Sequence, residues 1–449
     1  MSHAAPWKGE NKGLMKRIVE FFRNQPPGRL ITLGFFLVIM TGTCLLLLPV
    51  SIRPGAEVTF VDALFTSTSA VCVTGLIAID TADHFTVFGR AVVALLIQVG
   101  GLGVTSVGAG LILATRKKFS FKSRLLIKEG LNVDSFKGIV RLVKSVLLLT
   151  FCFELVGVIL SFIVFVQDYP PLHALGISVF HSIAAFNNSG FDVLGGLQNL
   201  IPYRNDVLLN LTTCGLIIFG GIGFFVILDV LKNRFRFKKL ALHSKVVITT
   251  SAFLIIAGTL ILKCTDEVTW MGAFFHSVSA RTAGFSTYPL GTFSNAGLFA
   301  LTILMFIGAS PGSTGGGIKT STFFTLVQSM RSALTKRHFG AFRRSLSKET
   351  LSKAYLITLL SLCVVLTGTF VLCILEPHLS LMQLLFEVTS AFGTVGLSTG
   401  ITPDLCDASK LVVTLIMFIG RLGALTMITI WINRPEQQAR YTEESITIG

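Results

Sequence analysis

The 449-residue chain is 52% hydrophobic and only 14% charged, with a mean hydropathy of +0.74. That balance excludes an ordinary soluble protein and places most of the chain in lipid. The formal net charge of +15 then reads as a topology signal and calls for no nucleic acid.

In chain order, the segment to Arg29 is basic and polar, and the first apolar run continues as a full span, so no cleavable signal peptide is expected. Eight apolar runs follow: Leu30 to Val50, Ala91 to Ala114, Ile139 to Val166, Val207 to Val230, Val246 to Leu262, Ala300 to Leu326, Ala354 to Leu375 and Leu411 to Ile432. Each approaches the roughly 20 residues that a bilayer core requires. Segments 1–29, 116–144, 232–245 and 331–353 hold six, nine, six and seven Lys/Arg, which puts these segments and both termini on the cytosolic side. Cys44, Cys152, Cys214 and Cys363 fall inside apolar runs and no CxxC or Cys/His ligand spacing occurs, so neither a resident metal nor a disulfide framework is expected.

Between paired runs lie shorter segments, too short to cross and too apolar for water, each ending in a glycine-centred tetrapeptide. These are Val73-Thr74-Gly75-Leu76, Asn188-Ser189-Gly190-Phe191, Thr282-Ala283-Gly284-Phe285 and Thr394-Val395-Gly396-Leu397. A second glycine follows each after 24 to 30 residues, within LIQVGGLG, LIIFGGIG, LMFIGASPG and LIMFIGRLG. The pattern predicts four tandem repeats, 29–116, 117–232, 233–335 and 336–432, flanked by a cytoplasmic segment 1–28 and tail 433–449. Non-helical backbone at membrane depth is tolerated only where protein buries it or water lines it. Glycine permits the positive φ that turns successive carbonyls toward one axis, and four such loops present oxygen rings to a dehydrated cation. The tetrapeptides are therefore the candidate ligands for a permeating cation, and no other part of the chain offers a metal site. Asp62, Thr269 and Ser380 are expected to cap the helices leading into loops one, three and four.

The repeat is interrupted twice. In the third unit a helix should cross, yet the sequence reads Gly308-Ala309-Ser310-Pro311-Gly312-Ser313-Thr314-Gly315-Gly316-Gly317-Ile318-Lys319. At about 1 kcal/mol per Gly and 3 per Pro relative to Ala, such a run does not stay helical, and it is expected to lie across the path as a gate. It is no Walker A loop, since Ile318 separates Gly317 from Lys319. The second interruption is Arg421, which aligns with Gly101, Gly221 and Ala309; an intramembrane arginine turns away from lipid, so it is expected to reach the gate or the path below the loops. Arg281 and Glu387 are a candidate brace behind the loops, and Glu154 and Asp229 read as span-end residues.

These motifs, in this order from about Gly28 to the C-terminus, resemble the superfamily of potassium transporters that includes the bacterial Trk and Ktr membrane subunits and their fungal and plant relatives. Length favours the Ktr type. The resemblance implies a homodimer with one pore per subunit and a cytosolic nucleotide-binding regulatory ring. It also implies potassium preference where all four glycines are kept, as here. The expected molecule is thus an all-α membrane protein of the plasma membrane, with four helix/pore-loop/helix repeats set pseudo-fourfold around a central pore and eight transmembrane helices. It is not an enzyme, binds no cofactor, and conducts K+, with Na+ a second candidate ion. The rivals are a secondary transporter coupled to Na+ or H+, which favours inverted repeats, and a non-conducting receptor or scaffold. Phe119, Phe121, Phe235, Phe237, Phe339 and Phe342 in the basic loops, with the tail Asn433 to Gly449, are candidate contacts for the regulatory partner.

Overall fold

The computed structural model describes residues 27–114, 139–336 and 338–423, with positions 25, 125, 426 and 427. Phe119, Phe121 and the tail Asn433 to Gly449 lie outside the described residues. What is described is helical apart from loops and one two-stranded hairpin, Gly340–Ala341 with Arg344–Ser345.

The first repeat contains α1 (Pro27–Leu46), α2 (Phe60–Cys72), α3 (Val87–Leu102) and α4 (Val104–Ala114). The second contains α5 (Ile139–Phe165), α6 (Pro171–Phe186), α7 (Val207–Ile222) and α8 (Phe224–Lys232). The third has α9 (Leu242–Thr265), α10 (Trp270–Ser279), α11 (Asn295–Phe306) and α12 (Thr320–Thr335). The fourth has α13 (Lys348–Leu375), α14 (Leu381–Gly393) and α15 (Asp407–Leu422). Four helices, α1, α5, α9 and α13, are each long and apolar enough to cross a membrane, and they leave residues such as Phe151, Phe253 and Phe370 exposed on their outer faces.

In the first three repeats the second helix is not the straight span the sequence predicts. The α3–α4 pair bends by 98° at Gly103 and the α7–α8 pair by 94° at Gly223, so the runs Ala91 to Ala114 and Val207 to Val230 are broken. Counting each bent pair as one, the described helices give up to six crossings. The cause is local: Gly103, Gly223 and Gly423, which close three of the four trailing motifs, take φ of +81°, +95° and +87°, values an L side chain resists. In the third repeat the run Ala300 to Leu326 is interrupted from Ile307 to Lys319, between α11 and α12.

One packing device recurs. A Cβ on Gly42, Gly157 or Gly258 would run into Ser67 and Leu96, Ser182 and Leu216, or Ser277 and Leu304. The three serines donate to the carbonyls of Ile39, Glu154 and Ile255, three residues before each glycine, at 2.6 to 2.8 Å. A long helix, the short helix and the second helix of one repeat therefore meet at glycine, serine and leucine, the small residues allowing close approach. In the fourth repeat Gly368 meets Val388 and Ile416 instead.

Between repeats the order is cyclic. The second helix of one packs against the short helix of the next, α3 on α6, α7 on α10 and α11 on α14, and α15 returns to α2.

Candidate functional site

The short helices end at or within two residues of the tetrapeptides, and side-chain caps fix the starts of three of them. Thr59, Thr269 and Ser380 accept from the amides of Asp62, Gly272 and Gln383. The expectation of Asp62 as a cap is corrected: Thr59 is the cap, and Asp62 is the third helical residue, returning a bond to the Thr59 amide. Two cap-type residues three apart form a capping box, which frees the other Asp62 oxygen to bind Lys410 Nζ at 3.0 Å, joining α2 to α15.

All four tetrapeptides share one backbone pattern. Their first residues, Val73, Asn188, Thr282 and Thr394, have φ of +58°, +60°, +79° and +49°; their glycines, at the third place, have +88°, +67°, +80° and +93°. Their twelve non-glycine residues are 0 to 1% exposed, so a costly left-handed conformation at Val and Thr is held by full enclosure.

The glycines touch in a cycle. A Cβ on Gly75 would strike the Ser189 carbonyl and approach Gly190; one on Gly190 would reach the Ala283 carbonyl at 2.8 Å and Gly284 at 2.9 Å. One on Gly284 would strike the Val395 carbonyl and approach Gly396, and one on Gly396 would strike the Thr74 carbonyl and approach Gly75. Each loop thus abuts the next, and the fourth abuts the first. The hydroxyls of Thr74, Ser189 and Thr394 are buried without a hydrogen-bond partner among the described residues. With its oxygen toward Thr282, the Asn188 amide accepts from that hydroxyl at 3.3 Å and donates to the Ile217 and Ala185 carbonyls.

The segment Ile307–Lys319 lies directly against this ring. Cβ atoms on Gly315 and Gly316 would collide with the side chains of Thr282 and Thr394, and Gly317 packs on Gly308 and Gly393. Its backbone is satisfied by the second repeat: Ser310 and Thr314 amides donate to the Gly221 and Gly220 carbonyls at 3.0 and 3.3 Å, and the Phe224 amide donates to Gly312 at 3.0 Å. Within the loop, Ser313 donates to the Ser310 carbonyl and Thr320 to the Ser310 hydroxyl, while Ala309, Ser310 and Thr314 are fully buried. Lys319 Nζ donates to the Gly315 carbonyl at 2.7 Å and the Gly316 carbonyl at 3.3 Å.

Arg421 donates to the carbonyls of Thr314, Gly100 and Gly101. It is therefore a tie between the interrupting loop and the first repeat. The Arg281–Glu387 brace is not made: the Arg281 guanidinium binds the Ser251 hydroxyl at 3.0 Å and its carbonyl at 3.4 Å, while Glu387 accepts from Ser398 and Thr402 at 2.8 and 2.5 Å. Each charge finds its own hydroxyls, which removes the need for the other. Nor is Glu154 a span-end residue. It sits within α5 and accepts from Asn187 Nδ2 at 3.1 Å, and that nitrogen also donates to Gln98 at 2.8 Å. Asp229 does act as a cap, accepting from the Ala241 amide and the Ser244 hydroxyl at the start of α9. The serines of the packing device, the Asn187 cluster and the Lys410 pair carried no periodic signal; the 25-residue spacing of Gly42 to Ser67 recurs in Gly157 to Ser182, but Gly258 and Ser277 are 19 apart, so spacing alone exposes only two of the three packing serines.

The profile of the cation transport protein family TrkH matches residues 31–441. The Ktr system potassium uptake protein B of Bacillus subtilis is 38% identical, covering 96% of this chain and 99% of that protein. The potassium/sodium uptake protein NtpJ of Enterococcus hirae is 36% identical, covering 97% and 100%. The crystal structure of the potassium transporter TrkH from Vibrio parahaemolyticus superposes with a TM-score of 0.72 at 18% identity, over 90% of this chain and 84% of that one. The likeness to transport proteins thus runs along nearly the full chain, and the protein belongs to the TrkH family of cation transport proteins, as a multi-pass membrane protein of the Ktr type and not an enzyme.

Proposed function

We propose that this chain is the ion-conducting subunit of a potassium uptake system, passing K+ down its electrochemical gradient through a filter built from the four tetrapeptides. The observation that carries the reading is the closed contact cycle of Gly75, Gly190, Gly284 and Gly396. Left-handed residues at the first and third places of every tetrapeptide suit carbonyl rings that replace a hydration shell. The four repeats, 29–116, 117–232, 233–335 and 336–432, then surround one axis pseudo-fourfold. Eight crossings follow if α11–α12 and α15 also span.

The relatives' names support potassium as cargo, and that of NtpJ keeps sodium as a second ion. The chain itself would hold no cofactor. It would sit in the plasma membrane with both termini cytosolic, form a homodimer, and take its regulation from a nucleotide-binding cytosolic partner. Alternating access coupled to Na+ or H+ suits inverted repeats, whereas units that each cross twice, around one loop, all keep the same orientation.

The test is rubidium uptake into liposomes in competition with Na+. Gly75→Ser places a side chain at φ +88° against the Ser189 carbonyl. It is expected to lower the preference for K+ over Na+ by about tenfold, or ~1.4 kcal/mol of discrimination. A folded variant with unaltered preference rules out the filter.

A further inference from the structure

Three of the four loops are braced from behind by a serine in the last turn of their short helix. Ser69 accepts from the Gly75 amide at 3.0 Å and donates to the Leu76 carbonyl at 2.8 Å. Ser279 donates to the Phe285 carbonyl at 2.5 Å, and Ser390 accepts from the Gly396 amide at 3.0 Å. The second repeat has no such serine. Its counterpart is Ala184, six residues before Gly190 as Ser69 is before Gly75. The backbone supports the match: the Ser189 amide donates to the Ala184 carbonyl as the Thr74 amide does to that of Ser69, both at 2.8 Å.

A side chain from the opposite direction reaches this loop. Asn199, in the segment after Phe191, donates from Nδ2 to the Gly190 carbonyl at 3.0 Å. Its Oδ1 accepts from the amide of Ser286, the residue following Phe285 in the third repeat, at 3.0 Å, and from the Leu200 amide at 2.9 Å. Leu200 completes the junction by donating to the Ser286 carbonyl at 3.1 Å. Asn199 itself takes the left-handed φ of +51°, a conformation asparagine tolerates better than most residues. One amide therefore holds the glycine carbonyl of one loop and the exit of the next.

We infer that Asn199 is the positioning residue of the second loop, an interloop brace in place of the serine present in the other three, and hence a determinant of ion preference. The inference rests on the filter reading. Its physical basis is that a carbonyl held by a neutral donor is fixed in direction. A glycine in a left-handed conformation has little else to hold it.

The experiment compares Asn199→Ala, Asn199→Asp and Gly75→Ser in liposomes containing the full chain, measuring rubidium uptake at saturating K+ and in competition with Na+. Asn199→Asp keeps an acceptor for the Ser286 and Leu200 amides while losing the donor to Gly190, so it removes the brace and leaves the junction joined. Both substitutions at Asn199 are expected to lower the K+ over Na+ preference about threefold with maximal uptake nearly unaltered, as befits one lost hydrogen bond. Ala184→Ser added to Asn199→Ala is expected to restore it by supplying the missing brace. If Gly75→Ser alters preference and both Asn199 variants leave it intact, the inference fails and the filter stands; if none alters it, both fail. A fall in maximal uptake with constant preference assigns Asn199 a purely structural role and also overturns the inference.

Discussion

Lys410 and Asp62 show how one ion pair carries a structural joint. Their side chains are only 11% and 10% exposed and sit 3.0 Å apart. The Asp62 carboxylate is further held by the Thr59 hydroxyl at 2.7 Å. Removing one partner of a mostly buried pair strands the other, so Lys410→Ala is expected to lower stability by about 3–5 kcal/mol, whereas replacing both with apolar residues of similar volume restores most of it. Thermal unfolding in detergent checks both. At this scale the sequence was legible in part. Thr269 and Ser380 announced their caps, but Thr59 and Asp62 both carry a capping oxygen, and only the fold reveals that a lysine 348 positions away claims the second. Arg281 and Glu387 illustrate the converse: two opposite charges at similar depth invite pairing on paper, yet Ser251, Ser398 and Thr402 satisfy them separately.

Among elements, the decisive one is the segment between α11 and α12. Five glycines and a proline made its loss of helicity readable from Gly308 onward, and Arg421 stood out as a charge among small residues. Which carbonyls it would take was not readable. The bends at Gly103 and Gly223 were missed for a physical reason. An apolar run scores as one span whether straight or folded, and a single glycine costs only about 1 kcal/mol in a helix. The segment is fastened at three places, by the Gly220 and Gly221 carbonyls, by Lys319 and by Arg421. Arg421→Ala removes one fastening, and deleting 312–317 removes the middle of the segment proposed to gate the path. Basal rubidium flux without any partner is expected to rise in both, about tenfold for a tie worth ~1.4 kcal/mol. Folded variants with unaltered or lower flux place the barrier elsewhere.

For the whole molecule, two of the three basic loops converge. Phe237 and Phe342 lie edge to face with ring centroids 6.2 Å apart, and Phe235, two residues from Phe237, is 77% exposed. The segments 232–245 and 331–353 so form one basic, aromatic face at the end of α12, the helix that follows the interrupting segment Ile307–Lys319. Lipid headgroups satisfy lysine and arginine but leave exposed phenylalanine unexplained. Neutralising Arg234, Arg236, Arg343 and Arg344 is therefore expected to weaken binding of the cytosolic regulatory protein at least tenfold, ~1.4 kcal/mol, and to blunt its nucleotide response. A pull-down from detergent followed by flux measurement checks it, and full binding with full response leaves the charges a purely topological role. Four units in series around one axis were legible from their matched glycines, whereas the contacts that join the last unit to the first were not, because no sequence pattern links Lys410 to Asp62.

That closure has a consequence for how the protein is made. Three joints of the ring are spanned by peptide, but the fourth is a clasp of α15 on α2, with Lys410 on Asp62 and Gly396 against Thr74. Synthesis from the N-terminus delivers the clasp last. Until then the first three units form an open trough whose non-helical backbone has no protein wall on one side, a state that hydrocarbon penalises by several kcal/mol per unpaired group. A chain truncated before Lys410 is thus expected to lack the contacts that close the ring, leaving loop backbone without its last protein wall.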